Sequence, residues 1–185
     1  GGYKCVAVNS GTSALHMALV AADIKAGDEV IVPSFTFAAT ANSVALTGAT
    51  PVFVDIDPRT FNIDPAAIEA AITPKTKAIQ PVHLYGQPAQ MDKIQEIAKK
   101  HSLLILEDAA QSHLATFNGQ YVGSFGIAGT FSFYPTKNMT SGEGGMISCA
   151  TDEFARICKL LRNQGMEKRY ENEIVGFNTR MTDIH

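Results

Sequence analysis

Apolar positions along the chain alternate between two patterns. Short, nearly continuous apolar runs rich in β-branched residues predict strands buried on both faces of a parallel sheet. They are Cys5–Val8, Glu29–Pro33, Pro51–Asp55, Ala78–Leu84, Leu103–Leu106, Gly129–Tyr134 and Gly145–Ser148. Between them, Thr12–Ala22, Thr36–Thr47, Pro65–Ala71, Met91–His101 and Asp152–Arg162 read as helices. Gly27 is a stop signal after the first helix, and Asp64-Pro65 opens the third. Strand–helix alternation of this kind implies right-handed crossovers and a doubly wound α/β sheet with helices on both faces. Beyond about Gly165 the composition turns polar (MEKRYENE).

Composition narrows the partners. Hydrophobic residues make up 45% and charged residues 18%, the balance of a chain with a real core. Fifteen basic against 18 acidic residues leave a formal charge of −3, too mild to point to nucleic acid. Cys5, Cys149 and Cys158 fall in no CxxC or Cys/His ligand spacing, so a reducing compartment fits and no zinc site is expected. No apolar run has the length of a membrane span, and GGYKCVAVNS lacks the parts of a signal peptide. The expectation is a cytoplasmic protein.

Ligands of open α/β sheets sit beyond the carboxyl ends of the strands, so the residues following each strand matter most. After the first come Ser10-Gly11-Thr12-Ser13, a small-residue turn opening a helix. Its free N–H groups, its hydroxyls and the helix dipole make a phosphate cradle, although ordinary N-capping by Ser10 or Thr12 explains the same residues. No GxxxxGK[ST] or GxGxxG occurs, which disfavours nucleoside triphosphates and Rossmann dinucleotides. After the second stand Phe35 and Phe37, either core residues or a stacking platform for a flat ring. Asp108 follows the fifth, as a helix cap or as a desolvated carboxylate awaiting a cation. Lys137 follows the sixth, ahead of the glycine-rich Ser141–Gly145 loop, as a solvated lysine or as an amine nucleophile. A phosphate cradle, a ring platform, an acid and a lysine on one sheet edge are the set that pyridoxal 5'-phosphate needs.

The stretches SGTSAL, GDEVIVPSFTFAAT, GATPVFVDID, PVHLYGQPAQMDKI, EDAAQSH, GTFSFYPTKNMTSGEGGM and GFNTRM resemble the DegT-type sugar aminotransferases, in family order over essentially the whole chain. The resemblance implies a three-layer α/β/α large domain of the fold type I pyridoxal-phosphate enzymes, with a mostly parallel sheet of about seven strands. It implies transfer of an amino group, usually from glutamate, to a keto group of a nucleotide-linked deoxysugar. Carried onto this chain, Lys137 is the Schiff-base lysine and Asp108 the partner of the pyridinium nitrogen. Gln111 lies near the ring hydroxyl; Gly11, Thr12, Ser13 and Ser132 hold the phosphate; Phe37 stacks on the ring. Asn178 resembles a residue that reaches the phosphate of a neighbouring subunit, implying a homodimer with shared active sites. His83 and Glu143 are further candidates for lining the site, with core or loop roles as the alternative.

Two departures stand out. Leu114 occupies a position where the family commonly has glycine. The chain also starts almost at the cradle and ends just after GFNTRM, so residues 1–185 are expected to be the cofactor-binding large domain without the N-terminal arm and small C-terminal domain. The alternatives are a related sugar dehydratase, which uses histidine in place of the lysine and is opposed by Lys137, and a non-catalytic regulatory relative or inactive fragment.

Overall fold

The strand Glu29–Pro33 (β2) shows how the sheet is built. Its successive side chains point to opposite faces, and both faces are covered: Val30 and Val32 join one buried cluster and Ile31 the other. The same division separates Ala78 from Ile79 and Leu106 from Ile105. A strand with two buried faces reads as an unbroken apolar run, which is why the pattern is legible in the sequence.

The computed structural model describes residues 3–185. Lys4–Val8 (β1) leads to Gly11–Ala21 (α1), and β2 to Ala39–Leu46 (α2), Thr50–Val54 (β3) and Pro65–Ala70 (α3). Next come Thr76–Ile79 (β4), Met91–His101 (α4) and Leu104–Asp108 (β5). Thr116–Phe117 (β6) and Gln120–Tyr121 (β7) form a small hairpin before Ala128–Ser132 (β8), Gly145–Cys149 (β9) and Asp152–Arg162 (α5). Met166–Lys168 (β10) and Glu171–Asn172 (β11) form a second hairpin.

Seven strands make one sheet in the order β1-β9-β8-β5-β4-β2-β3. Strands β3, β2, β4, β5 and β8 run parallel, and β9 runs antiparallel to both β8 and β1. The mostly parallel α/β expectation holds. The single reversal arises because residues 133–144 contain no helix to carry a crossover. Buried residues of α1, α2 and α5 pack on one face, and those of α3 and α4 on the other. Helix α4 is amphipathic: Met91, Ile94, Ile97 and Ala98 are buried, while Asp92 in the first turn and Lys99, Lys100 and His101 in the last complement the helix dipole. No helix among the described residues is long and apolar enough to cross a membrane.

Some boundaries moved. β4 starts earlier and stops at Ile79, because Pro81 lacks the N–H that would continue the ladder; contact with β5 resumes at a bridge between Val82 and Asp108. Helix α2 begins at Ala39 rather than Thr36, with no side-chain cap at Ala38. The hairpin at 116–121 went unread although Asn118 (φ 51°) and Gly119 (φ 81°) supply the Asn-Gly pair that such turns favour.

Candidate active site

The carboxyl ends of β1, β2, β4, β5 and β8 open on one cavity of about 550 Å³. Its walls include Gly11, Thr12, Phe37, Asp108, Gln111 and Ser132 together with Lys137, so residues spread over the chain from 11 to 137 meet at one sheet edge.

The turn after β1 serves two purposes at once. The Ser13 N–H donates to Ser10 Oγ at 3.1 Å and the Ala14 N–H to the Ser10 carbonyl, so Ser10 is the N-cap. As the first groups of α1, the Gly11 and Thr12 N–H groups have no partner within the helix and sit at its positive end. Tight packing places this turn. A Cβ at Gly11 would stand 2.7 Å from Ser132 Cβ, and one at Gly145 would stand 2.3 Å from the Ser10 carbonyl oxygen. Gly145 pairs with both Val8 and Ser132, so the glycines let the helix start press onto the ends of β1, β9 and β8. Ser10 is the cap, and the Gly11 and Thr12 N–H groups beside it are left facing the cavity edge.

Asp108 ends β5 with 5% of its surface exposed. Thr40 Oγ1 donates to its Oδ2 at 2.8 Å, and the Ala110 N–H donates to Oδ1 at 3.2 Å. Burial pushes the carboxyl above the usual carboxylate range; the Thr40 and Ala110 hydrogen bonds and the nearby His83 and Lys137 pull it back in part. The net upward shift marks a buried acid that still lacks a full cationic partner. A protonated pyridine nitrogen supplies that charge, and the free N–H groups beside Ser132 suit a phosphate, so the cavity fits pyridoxal phosphate.

Lys137 stands half-buried in the turn after β8, its N–H bonded to the Tyr134 carbonyl at 2.9 Å, and lines the same cavity as Asp108. The Gln111 carboxamide oxygen accepts from the Tyr85 N–H at 2.8 Å, which leaves the amide NH2 as its free donor. Phe37 lies on the cavity wall, 71% exposed, an open ring face rather than a core side chain. Glu143 lines the rim from the glycine-rich loop.

Three candidates stand elsewhere. The Ser13 hydroxyl donates to Asn9 Oδ1 at 2.7 Å and serves the cap, off the cavity wall. Asn178 is exposed and bridges Asn163, away from this chain's own cavity. His83 is a core residue: its Nδ1 accepts the Ala89 N–H at 3.0 Å and its Nε2 meets Glu107 Oε2 at 3.0 Å. Glu107, fully buried, also accepts the N–H groups of Gly123, Phe125 and Gly126 at 2.7, 2.7 and 3.0 Å. The residue next to the cavity acid thus ties down the loop before β8.

The DegT/DnrJ/EryC1/StrS aminotransferase family matches the chain over residues 1–185. The chain belongs to this family. Among relatives, a GDP-perosamine synthase of Caulobacter vibrioides is 59% identical over 97% of this chain and 49% of its own length. A pleiotropic regulatory protein of Geobacillus stearothermophilus is 53% identical over 97% and 48%. NtdA of Bacillus subtilis, solved with bound PMP cofactor, superposes with a TM-score of 0.91 at 39% identity, covering 97% of this chain and 41% of that one. The chain spans about half the length of the curated relatives it matches. Leu114 has a backbone that glycine would favour: φ is 65°, and the residue is 75% exposed. The left-handed backbone at Leu114 carries local strain.

Sequence reasoning missed Thr36 and Thr40. Thr36 lines the cavity, and Thr40 is fully buried against Asp108. Both sit in the stretch read as plain helix, and a hydrogen bond spanning 68 residues leaves no local mark.

Proposed function

We propose that this chain is the cofactor-binding half of a pyridoxal-phosphate-dependent aminotransferase that moves an amino group from glutamate to a keto group of a nucleotide-activated deoxysugar. The observation carrying this reading is that Lys137 and Asp108 line one cavity with the helix start at Gly11 and Thr12. When bound, the cofactor supplies an aldehyde that can carry nitrogen and a ring that withdraws electrons.

The chain's own residues then have definite tasks. Gly11, Thr12 and Ser132 bind the phosphate through N–H and hydroxyl donors. Phe37 covers the ring face, and the Gln111 amide donates toward the ring hydroxyl. Asp108 holds a proton on the ring nitrogen, the cation its burial calls for. Lys137 would hold the aldehyde carbon through its Nζ, and the same amine, when free, would serve as general base toward the donor's α-carbon. Asn178, exposed and off this cavity, is assigned to the site of a partner copy in a homodimer.

The reading is tested by giving the full-length protein pyridoxal phosphate, glutamate and a panel of keto-sugar nucleotides. Release of 2-oxoglutarate dependent on one sugar supports it; no release with any of them refutes it. A regulatory reading has one relative's name behind it. It predicts cofactor absorbance unaltered by glutamate, whereas the Lys137 and Asp108 that share the cavity favour the enzyme. The dehydratase reading requires histidine where Lys137 stands.

A further inference from the structure

Thr40 is the second residue of α2, yet its hydroxyl serves neither as a cap nor as a bond to the preceding turn, the usual fates of a helical threonine. It donates to Asp108 Oδ2, and an ionised carboxylate can only accept, so the single Thr40 proton is committed there. The contact between Thr36 Oγ1 and Thr40 Oγ1, 2.9 Å long, therefore runs with Thr36 as donor. The chain of hydroxyls has one direction, from the cavity wall through Thr40 to the acid.

Thr40 is itself braced. Its carbonyl accepts from Ser43 Oγ at 2.8 Å and from Gln80 Nε2 at 3.0 Å, tying α2 to the residue just beyond β4. With Oδ2 taken by Thr40 and Oδ1 touched by the Ala110 N–H, the carboxylate cannot turn without breaking a buried hydrogen bond.

Resting on the cofactor reading above, we propose that Thr36 and Thr40 form a directed hydroxyl relay that holds the Asp108 carboxylate turned toward the ring nitrogen of pyridoxal phosphate. Thr40 is a positioning residue acting through Asp108.

The full-length protein is titrated with pyridoxal phosphate and with an analogue carrying CH in place of the ring nitrogen. In Thr40→Val, affinity for pyridoxal phosphate falls by about 10-fold, the worth of one hydrogen bond to a charged group, while affinity for the analogue changes by less than about 2-fold. Thr40→Ser, which keeps the hydroxyl, restores wild-type discrimination between the two ligands. Thr36→Val, one step further out and exposed to no core packing change, lowers discrimination by about 3-fold, so the relay stays testable if Thr40→Val fails to fold. Equal loss for both ligands would mark Thr40 as merely structural and overturn the relay, as would unchanged discrimination in Thr36→Val. A wild type that binds both ligands alike would likewise overturn the relay, by showing that Asp108 does not serve the ring nitrogen, whereas a wild type that binds neither would remove the cofactor reading itself.

Discussion

Gly11 stands directly over Ser132: a Cβ on the first would lie 2.7 Å from the Cβ of the second. Neither contact atom belongs to a flexible side-chain end, so Gly11→Ala must push α1 away from β8. The expected outcome is weaker cofactor binding and a loss of about 1–3 kcal/mol in stability, typical of overpacking. Adding Ser132→Gly relieves the clash and returns most of the stability. Denaturant melts of the single and double variants read this directly, and additive losses would contradict it.

Asp108 offers a pH test whose sign follows from its burial. Its carboxyl is raised above the ordinary 3.8, so without cofactor the folded protein ionises it later than the unfolded chain does. That penalty is absent in acid and grows as pH rises above the ordinary carboxylate range. Asp108→Asn removes it. The variant without cofactor should therefore gain stability over wild type as pH increases through that window, by at most about 1.4 kcal/mol per pH unit. With cofactor and substrates the same variant should transfer amino groups far more slowly.

Glu107 predicts the opposite kind of result. Glu107→Leu leaves the buried Gly123 N–H, the half-buried Phe125 and Gly126 N–H groups and the Nε2 of His83 without their partner, and should cost about 3–5 kcal/mol. Urea midpoints check it. A loss below about 1 kcal/mol would show that the 123–126 loop holds without the carboxylate.

At Leu114 the side chain contributes little, since 75% of it faces solvent, while its φ of 65° is unfavourable for a residue with a Cβ. Leu114→Gly should raise stability by about 0.5–1 kcal/mol, relief of strain less the added entropy of the unfolded chain. Thermal unfolding decides it.

What could be read in advance follows from range. The parallel strands are apolar on both faces, so each marks itself, and the residue after each strand could be picked out one by one: Gly11, Phe37, Asp108 and Lys137. Features that depend on partners far along the chain were invisible. The Thr40–Asp108 bond and the Glu107 clamp join separate strands and helices, and the reversed strand β9 depends on a loop that merely lacks a helix. Ser13 sits off the cavity wall for a local reason: Asn9 accepts from its hydroxyl and Ser10 from its N–H, the groups a phosphate would use.

The central claim is that the amine at position 137 bonds the cofactor. Borohydride reduction of the full-length protein loaded with pyridoxal phosphate, followed by digestion and mass spectrometry, locates the attached lysine. A single pyridoxyl group on Lys137, in the peptide containing FYPTK, is the expected result. A group fixed on any other lysine, or on none, would contradict it.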